Sequence, residues 1–183
     1  MNVTVRHAEA ADIPAIETLV DLSIARLLPD VLSDAEVAAS RHLMGVDREL
    51  IADGTYLTVW EGGMLVACGG WSRRATLFGG DATAGRNSRA LDPASEPARV
   101  RAMYTHPERT RRGLGRLILD RCEAEAAAAG FSCVELAATR SGAPLYAACG
   151  YARLEDWMEP TPDGVAVPLT RMRKRLPQVL APS

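Results

Sequence analysis

The sequence predicts an α/β (α+β) domain of about seven strands and about four helices, on three observations. Short strand-like runs and helical runs follow one another in the order β-α-α-β-β-β-α-β-α-β-β. Hydrophobic residues make up 48% of the 183 residues and charged residues 24%, enough for one sizeable core and too apolar for a disordered chain. The stretch Thr105 to Leu119 runs from a strand end through a proline corner and an arginine-flanked glycine turn into an amphipathic helix.

Each element follows from its own signals. Val3 to Arg6 alternates as a strand. Asp12 and Pro14 open a helix whose apolar face, Ile13, Ile16, Val20, Ile24 and Leu27, runs to about Leu28; Pro29 breaks it. Ser33 and Glu36 stand at capping-box spacing and start a second helix towards Met44 or Leu50. Thr55 to Trp60 and Met64 to Ser72 form a hairpin around Gly62-Gly63. Residues 75–97 lack periodicity and form a long loop. Ala98 to Thr105 is the next strand. Gly113 to Ala129 is a helix with Leu114, Leu117, Ile118, Cys122 and Ala126 inward, closed by Gly130. Phe131 to Ala137 is a strand, and Pro144 to Cys149 a short helix. Tyr151 to Met158 and Val165 to Met172 are the last strands, joined by the Pro160 to Gly164 turn. There is no internal repeat or linker, so residues 1–183 read as a single domain with a core over about 3–175.

Composition narrows the function. A formal net charge of -2 and a pI near 5.9 speak against a general nucleic-acid binder. So does the lack of aromatics interleaved with the arginines. Cys68, Cys122, Cys133 and Cys149 have no C-x-x-C spacing, and no His/Asp/Glu cluster has ligand spacing; buried thiols and no metal are expected. No apolar run reaches the ~20 residues of a membrane span, and the first residues lack a signal-peptide pattern. The expectation is a cytoplasmic protein without a membrane or nucleic-acid partner, either a homodimer or a monomer.

The glycine turn carries the strongest functional signal. Arg109, Arg111, Arg112 and Arg116 surround Gly113 and Gly115 where a helix begins. The free N–H groups and dipole of a helix N-terminus attract an anion, and residues without Cβ let a phosphate approach the main chain. The run is not a P-loop, since Lys174 is the only lysine, and it lacks the third glycine of the dinucleotide fingerprint, where Ile118 stands.

Arg-Arg-Gly-Leu-Gly after a strand and His-Pro resembles the coenzyme A pyrophosphate loop of the GNAT superfamily of N-acetyltransferases, written Q/R-x-x-G-x-G/A; Thr110 departs from it. The element order is similar over nearly the whole chain. The resemblance implies the GNAT fold, with a mixed central sheet, and acetyl-CoA as co-substrate. It implies pantetheine contacts from the main chain of Met103, Tyr104 and Thr105, and pyrophosphate contacts from Arg111, Arg112, Gly113, Leu114, Gly115 and Arg116.

The implied activity is acetyl transfer from acetyl-CoA to a primary amine by direct attack in a ternary complex. Thioester aminolysis needs a neutral amine, a stabilised carbonyl oxygen and a proton for the leaving thiolate. Ala143-Pro144-Leu145-Tyr146-Ala147-Ala148-Cys149-Gly150-Tyr151 resembles the family's A-x-x-Y-x-x-x-G-F/Y segment, which implies that Tyr146 is the general acid. Thr139 stands where an asparagine is common. The family's usual glutamate base is absent, since Arg99 occupies its position. Glu135, Glu96 or a water relay are the alternatives, with Glu135 the first choice; each carboxylate could instead be solvated or pair with Arg99 or Arg101. His106 reads as packing or capping at its corner. Trp71 is expected either to border the acceptor pocket, as a substrate-binding residue, or to pack in the core. Loop 75–97 should cover the acceptor side. The acceptor is a small-molecule or peptide amine. The competing reading is a non-catalytic acyl-CoA-binding or sensing module on the same fold.

Overall fold

The computed structural model describes residues 2–177. Seven strands form one mixed sheet in the order β1-β2-β3-β4-β5-β7-β6. Strand β1 (Thr4–His7) pairs antiparallel with β2 (Tyr56–Glu61), and β2 with β3 (Met64–Ser72). Gly62 and Gly63, at φ 56° and 82°, supply the left-handed pair that a tight hairpin needs. Strand β4 (Ala98–Thr105) lies antiparallel on β3, and β5 (Cys133–Ala138) runs parallel to β4. Strand β7 (Ala166–Arg175) pairs with the whole of β5, and β6 (Ala152–Pro160) forms the outer edge.

Among the described residues the sheet carries five helices, one more than expected. Helix α1 (Ile13–Leu27) buries Ile16, Leu19, Val20 and Ile24 against one face, as its i, i+4 spacing requires. The expected second helix breaks in two. Helix α2 (Asp34–Ser40) starts at the Ser33/Glu36 capping box but ends at Ser40, and α3 (Arg48–Ala52) starts afresh. The break has two causes. The Gly45 N–H goes to the Tyr104 hydroxyl at 2.9 Å, and Asp47 caps α3 by accepting from Leu50 N–H at 3.2 Å. Helix α4 (Leu114–Ala128) covers the opposite face, with Leu114, Ile118, Leu119, Cys122 and Ala126 buried, and ends before Gly130 at φ 93°. Short α5 (Ala143–Ala148) follows β5.

Two irregularities shape the middle of the sheet. Strands β4 and β5 pair only at Ala98↔Val134 and Arg99↔Glu135, then diverge. On β4 the register with β3 passes from Gly70↔Arg101 to Cys68↔Tyr104, so β4 holds one extra residue there. Ala102, at φ 55°, absorbs it as a bulge. A bulge bends its strand and interrupts its ladder, which opens a wedge between β4 and β5.

The segment expected as an unstructured loop is partly a hairpin. Ala75 N–H donates to Arg89 O at 2.9 Å, Thr76 N–H to Asn87 O at 2.9 Å, and Leu91 N–H to Arg73 O at 2.7 Å. Its tip docks on the α2–α3 connection, where Asp81 N–H donates to Val46 O at 2.9 Å. The tip residues carry no periodic pattern because ion pairs with another segment, not a core face, hold them.

Candidate active site

The glycine turn forms an anion cradle. Pro107–Arg109 make one 3₁₀ turn, capped by His106 Nδ1, which accepts the Glu108 N–H at 3.2 Å. His106 thus holds the corner. Arg111 (φ 58°) and Gly113 (φ 79°) are both left-handed. Alternation of this kind turns successive N–H groups into one concavity. The N–H groups of Arg111, Arg112, Gly113, Leu114, Gly115 and Arg116 donate to no acceptor among the described residues. The α4 dipole points into the same spot. Two arginines of the turn are already engaged: Arg109 Nε and Arg112 Nη2 hold Glu61 at 2.8 and 2.7 Å. Hydrogen bonds from Arg112 and Arg109 keep the Glu61 carboxyl down at about 2. Glu61, unmarked by any sequence motif, therefore anchors the cradle to the β2–β3 hairpin. The arrangement fits a pyrophosphate held by main chain, and Arg111 makes no ion pair among the described residues.

Gly115 has a packing role besides its free N–H. A Cβ there would lie 2.7 Å from Leu145 Cδ2. The missing side chain lets α5 approach α4, and Arg116 Nη2 donates to Ala148 O at 3.1 Å across the same contact. At Gly113 a Cβ meets nothing within 4 Å; its left-handed φ is what demands glycine.

The wedge between β4 and β5 ends in a cavity of about 80 Å³. The β5-facing edge of β4 beyond Arg99 has no ladder partner, so main-chain groups of Met103, Tyr104 and Thr105 are open to an extended amide-bearing chain. Tyr146 lines the cavity with Met103, Tyr104 and Thr139. Its ring is buried and packs edge-on against Tyr151 at 5.8 Å. Burial pushes its phenol well above the usual range, so it stays protonated. Its hydroxyl bonds to no group among the described residues. Thr139 shares a 3.0 Å hydrogen bond with Ser141 and accepts from Gly142 N–H at 3.2 Å.

The segment 75–97, or lid, reaches the same cavity. Phe78 and Gly79 line it together with Tyr146, Leu43, Val167 and Leu169. A buried ionic cluster holds the lid there. Arg101 gives Nε to Asp47 at 2.6 Å, Nη1 to Thr76 O at 2.8 Å and Nη2 to Glu49 at 2.8 Å. Arg86 of the lid joins Asp47 at 3.1 Å and Glu49 at 3.1 Å, and donates to Gly79 O at 2.9 Å. Neither the bulge at Ala102 nor this cluster has a sequence signature. Alanine announces no left-handed φ, and the partners lie far apart in the chain.

Two expectations are corrected. Glu135 does not suit the role of base. It is fully buried and gripped by Arg99, Arg171 and Arg173. Burial raises its carboxyl, but hydrogen bonds from Arg171 and Arg173 and the charges of Arg171 and Arg99 outweigh that and lower it. The cluster instead joins β4, β5 and β7 where β4 and β5 last touch. Trp71 does not line the cavity at the end of the wedge. It is buried on the α4 side, donating Nε1 to Glu125 at 2.8 Å and packing against Phe131 at 6.2 Å. The other base candidate, Glu96, is bound by Arg89 at 2.7 Å and accepts the Asp92 N–H at 2.9 Å; those bonds hold its carboxyl at about 2. Among the described residues no group of His, Cys, Asp and Glu could hold a metal ion, and no helix is long and apolar enough to cross a membrane.

Comparison with known proteins agrees with this architecture. The acetyltransferase (GNAT) domain family matches residues 52–153. Solved structures of the same fold include a GCN5-related N-acetyltransferase from Rhodopseudomonas palustris (TM-score 0.69, 19% identity, covering 96% of this chain and 97% of that one). A second is PaiA N-acetyltransferase from Thermoplasma acidophilum in complex with coenzyme A (TM-score 0.62, 14% identity, 96% and 99% covered). A third is the ribosomal-protein-S18-alanine N-acetyltransferase from Escherichia coli (TM-score 0.60, 15% identity, 98% and 97% covered). No curated protein sequence matches. The family match spans more than half of the chain and includes the glycine turn, the wedge and Tyr146: the chain belongs to the GNAT acetyltransferase family.

Proposed function

We propose that this protein is an acetyl-CoA-dependent N-acetyltransferase acting on a primary amine by direct attack in a ternary complex. One observation carries the reading: the run of unengaged N–H groups from Arg111 to Arg116 leads, along an unpaired strand edge, to the unpartnered hydroxyl of buried Tyr146. The cradle takes the pyrophosphate, the β4 edge takes the pantetheine amides, and the thioester reaches the cavity.

The amine enters from the lid side in its neutral form. Its lone pair attacks the acetyl carbonyl carbon; the N–C bond forms and the C–S bond breaks. The sulfur leaves with the bonding pair and takes the Tyr146 proton, and water carries the amine's proton back to the tyrosinate. With Glu135 and Glu96 tied up by arginines, the reading assigns no carboxylate base. A cavity that presents no free carboxylate to an ammonium ion favours the neutral amine that attacks, and water is the proton's route to the tyrosinate. The buried thiols of Cys68, Cys122 and Cys149 suit a reducing cytoplasm.

The Escherichia coli neighbour acts on an alanine of a ribosomal protein, and a Neisseria gonorrhoeae neighbour is complexed with coenzyme A and N-acetyl-glutamate; both support an amine nitrogen as acceptor. The second reading, an acyl-CoA-sensing module, draws on Thr139 and on the missing carboxylate base, but leaves the unpartnered Tyr146 hydroxyl without a purpose. A thiol-release assay with acetyl-CoA across amine classes, with mass spectrometry of the product, tests the proposal. Turnover yielding an amine heavier by one acetyl group is expected. Tight acetyl-CoA binding with no acetylated product from any amine would favour the sensing module.

A further inference from the structure

The acceptor side of the cavity offers no free charge to a ligand. Its wall is Leu43 and Met44 from the α2–α3 connection, Phe78 from the lid, and Val167 and Leu169 from β7. The polar side chains lining it are already engaged. Ser40 Oγ donates to Glu36 O at 2.7 Å. The Thr139 hydroxyl is held by Ser141 and Gly142. The Tyr104 hydroxyl accepts from Gly45 N–H and donates to Gly45 O. Arg101, the charged residue of the lining, is buried, and its Nε, Nη1 and Nη2 all have protein acceptors. The carboxylates behind it, Asp47 and Glu49, are shared with Arg86. Only the Tyr146 hydroxyl remains without a partner among the described residues.

An acceptor bearing a carboxylate or a second ammonium would bring that charge against this wall unpaired, and burying an unpaired charge is strongly unfavourable. A single amine on a hydrocarbon skeleton meets no such penalty and gains by leaving water. From this we infer that the acceptor is a small primary monoamine with an alkyl or arylalkyl skeleton, selected against its α-carboxylated and ω-aminated counterparts. The inference rests on the acetyl-transfer reading above and narrows its substrate.

Matched pairs test it. kcat/KM is measured by thiol release for 2-phenylethylamine against phenylalanine and for pentylamine against 1,5-diaminopentane. A short peptide with a free N-terminus is included, and acetyl-CoA affinity is measured in parallel by calorimetry. The monoamine of each pair should be preferred at least about tenfold, and its kcat/KM should rise with pH towards the pKa of the free amine. Equal or better use of phenylalanine, the diamine or the peptide, with acetyl-CoA bound, would overturn the monoamine assignment and leave acetyl transfer standing. Failure to bind acetyl-CoA would overturn both. Phe78→Glu places a carboxylate in the wall; it should shift preference towards 1,5-diaminopentane by about tenfold or more with acetyl-CoA affinity unchanged. An unchanged ratio in that variant would also refute the assignment.

Discussion

Tyr146→Phe isolates the proposed proton donor. The change keeps the ring, its edge-on contact with Tyr151 at 5.8 Å and its place in the core around α4. It removes a hydroxyl that bonds to no described protein group, so no buried partner is left unsatisfied, and the usual penalty for breaking a buried hydrogen bond does not arise. Stability should therefore stay within about 0.5 kcal/mol, the range of substitutions that disturb no contact. The chemical step should suffer far more. General acid–base groups contribute roughly 10²–10⁴-fold, and the lower end corresponds to about 2.7 kcal/mol of barrier. Burial raises the phenol well above its usual range. The acid form therefore persists through alkaline pH, and the wild-type profile should show no fall near pH 10 from this residue. The assay is steady-state thiol release for kcat, calorimetry for acetyl-CoA affinity and thermal melting for Tm. A folded variant with unchanged affinity and full kcat would refute the acid assignment and return Tyr146 to the core.

Other expectations follow from the same geometry. Gly113→Val forces a β-branched residue into φ 79° at the mouth of the cradle; calorimetry should show at least about tenfold weaker acetyl-CoA binding, about 1.4 kcal/mol, in a protein that still folds. Glu135→Gln leaves Arg99 buried without its carboxylate, and chemical denaturation should show a loss of about 3 kcal/mol, the low end for a broken buried pair, since Arg171 and Arg173 are partly exposed. Its lowered carboxyl makes the wild-type contribution fully present above the ordinary glutamate range and lost below that range, as pH falls through the lowered folded value; the shape of the pH–rate profile should be the same in both proteins. Replacing residues 79–92 with a short Gly/Ser turn removes Arg86 and Asp81, and the acceptor KM should rise severalfold while acetyl-CoA affinity holds; an unchanged KM would show that the lid takes no part in acceptor binding.

The glycine turn, the succession of strands and helices along the chain and the short tyrosine-bearing helix were all legible in the sequence. They are local: a positive φ calls for glycine, a capping box needs residues three apart, and an amphipathic face repeats every 3.6 residues. The break between α2 and α3 was not legible, because it depends on Tyr104, a residue from β4, taking the Gly45 N–H. The roles of the charged residues were equally hidden. Glu135 reads in one dimension as a base or as a partner of Arg99 or Arg101; only the pairing of β5 with β4 and β7 decides between them and adds Arg171 and Arg173. Trp71 reads as rim or core until the register of β3 turns it towards Glu125 and Phe131. That Gly115 also lets α5 pack on α4 appears only when Leu145 is seen against it. The sequence by itself determined where the chain turns and where free N–H groups gather at a helix start, since those depend on neighbouring residues. Tertiary structure alone decided which ionisable groups are free to react, because a charge is silenced by partners that folding brings from anywhere in the chain.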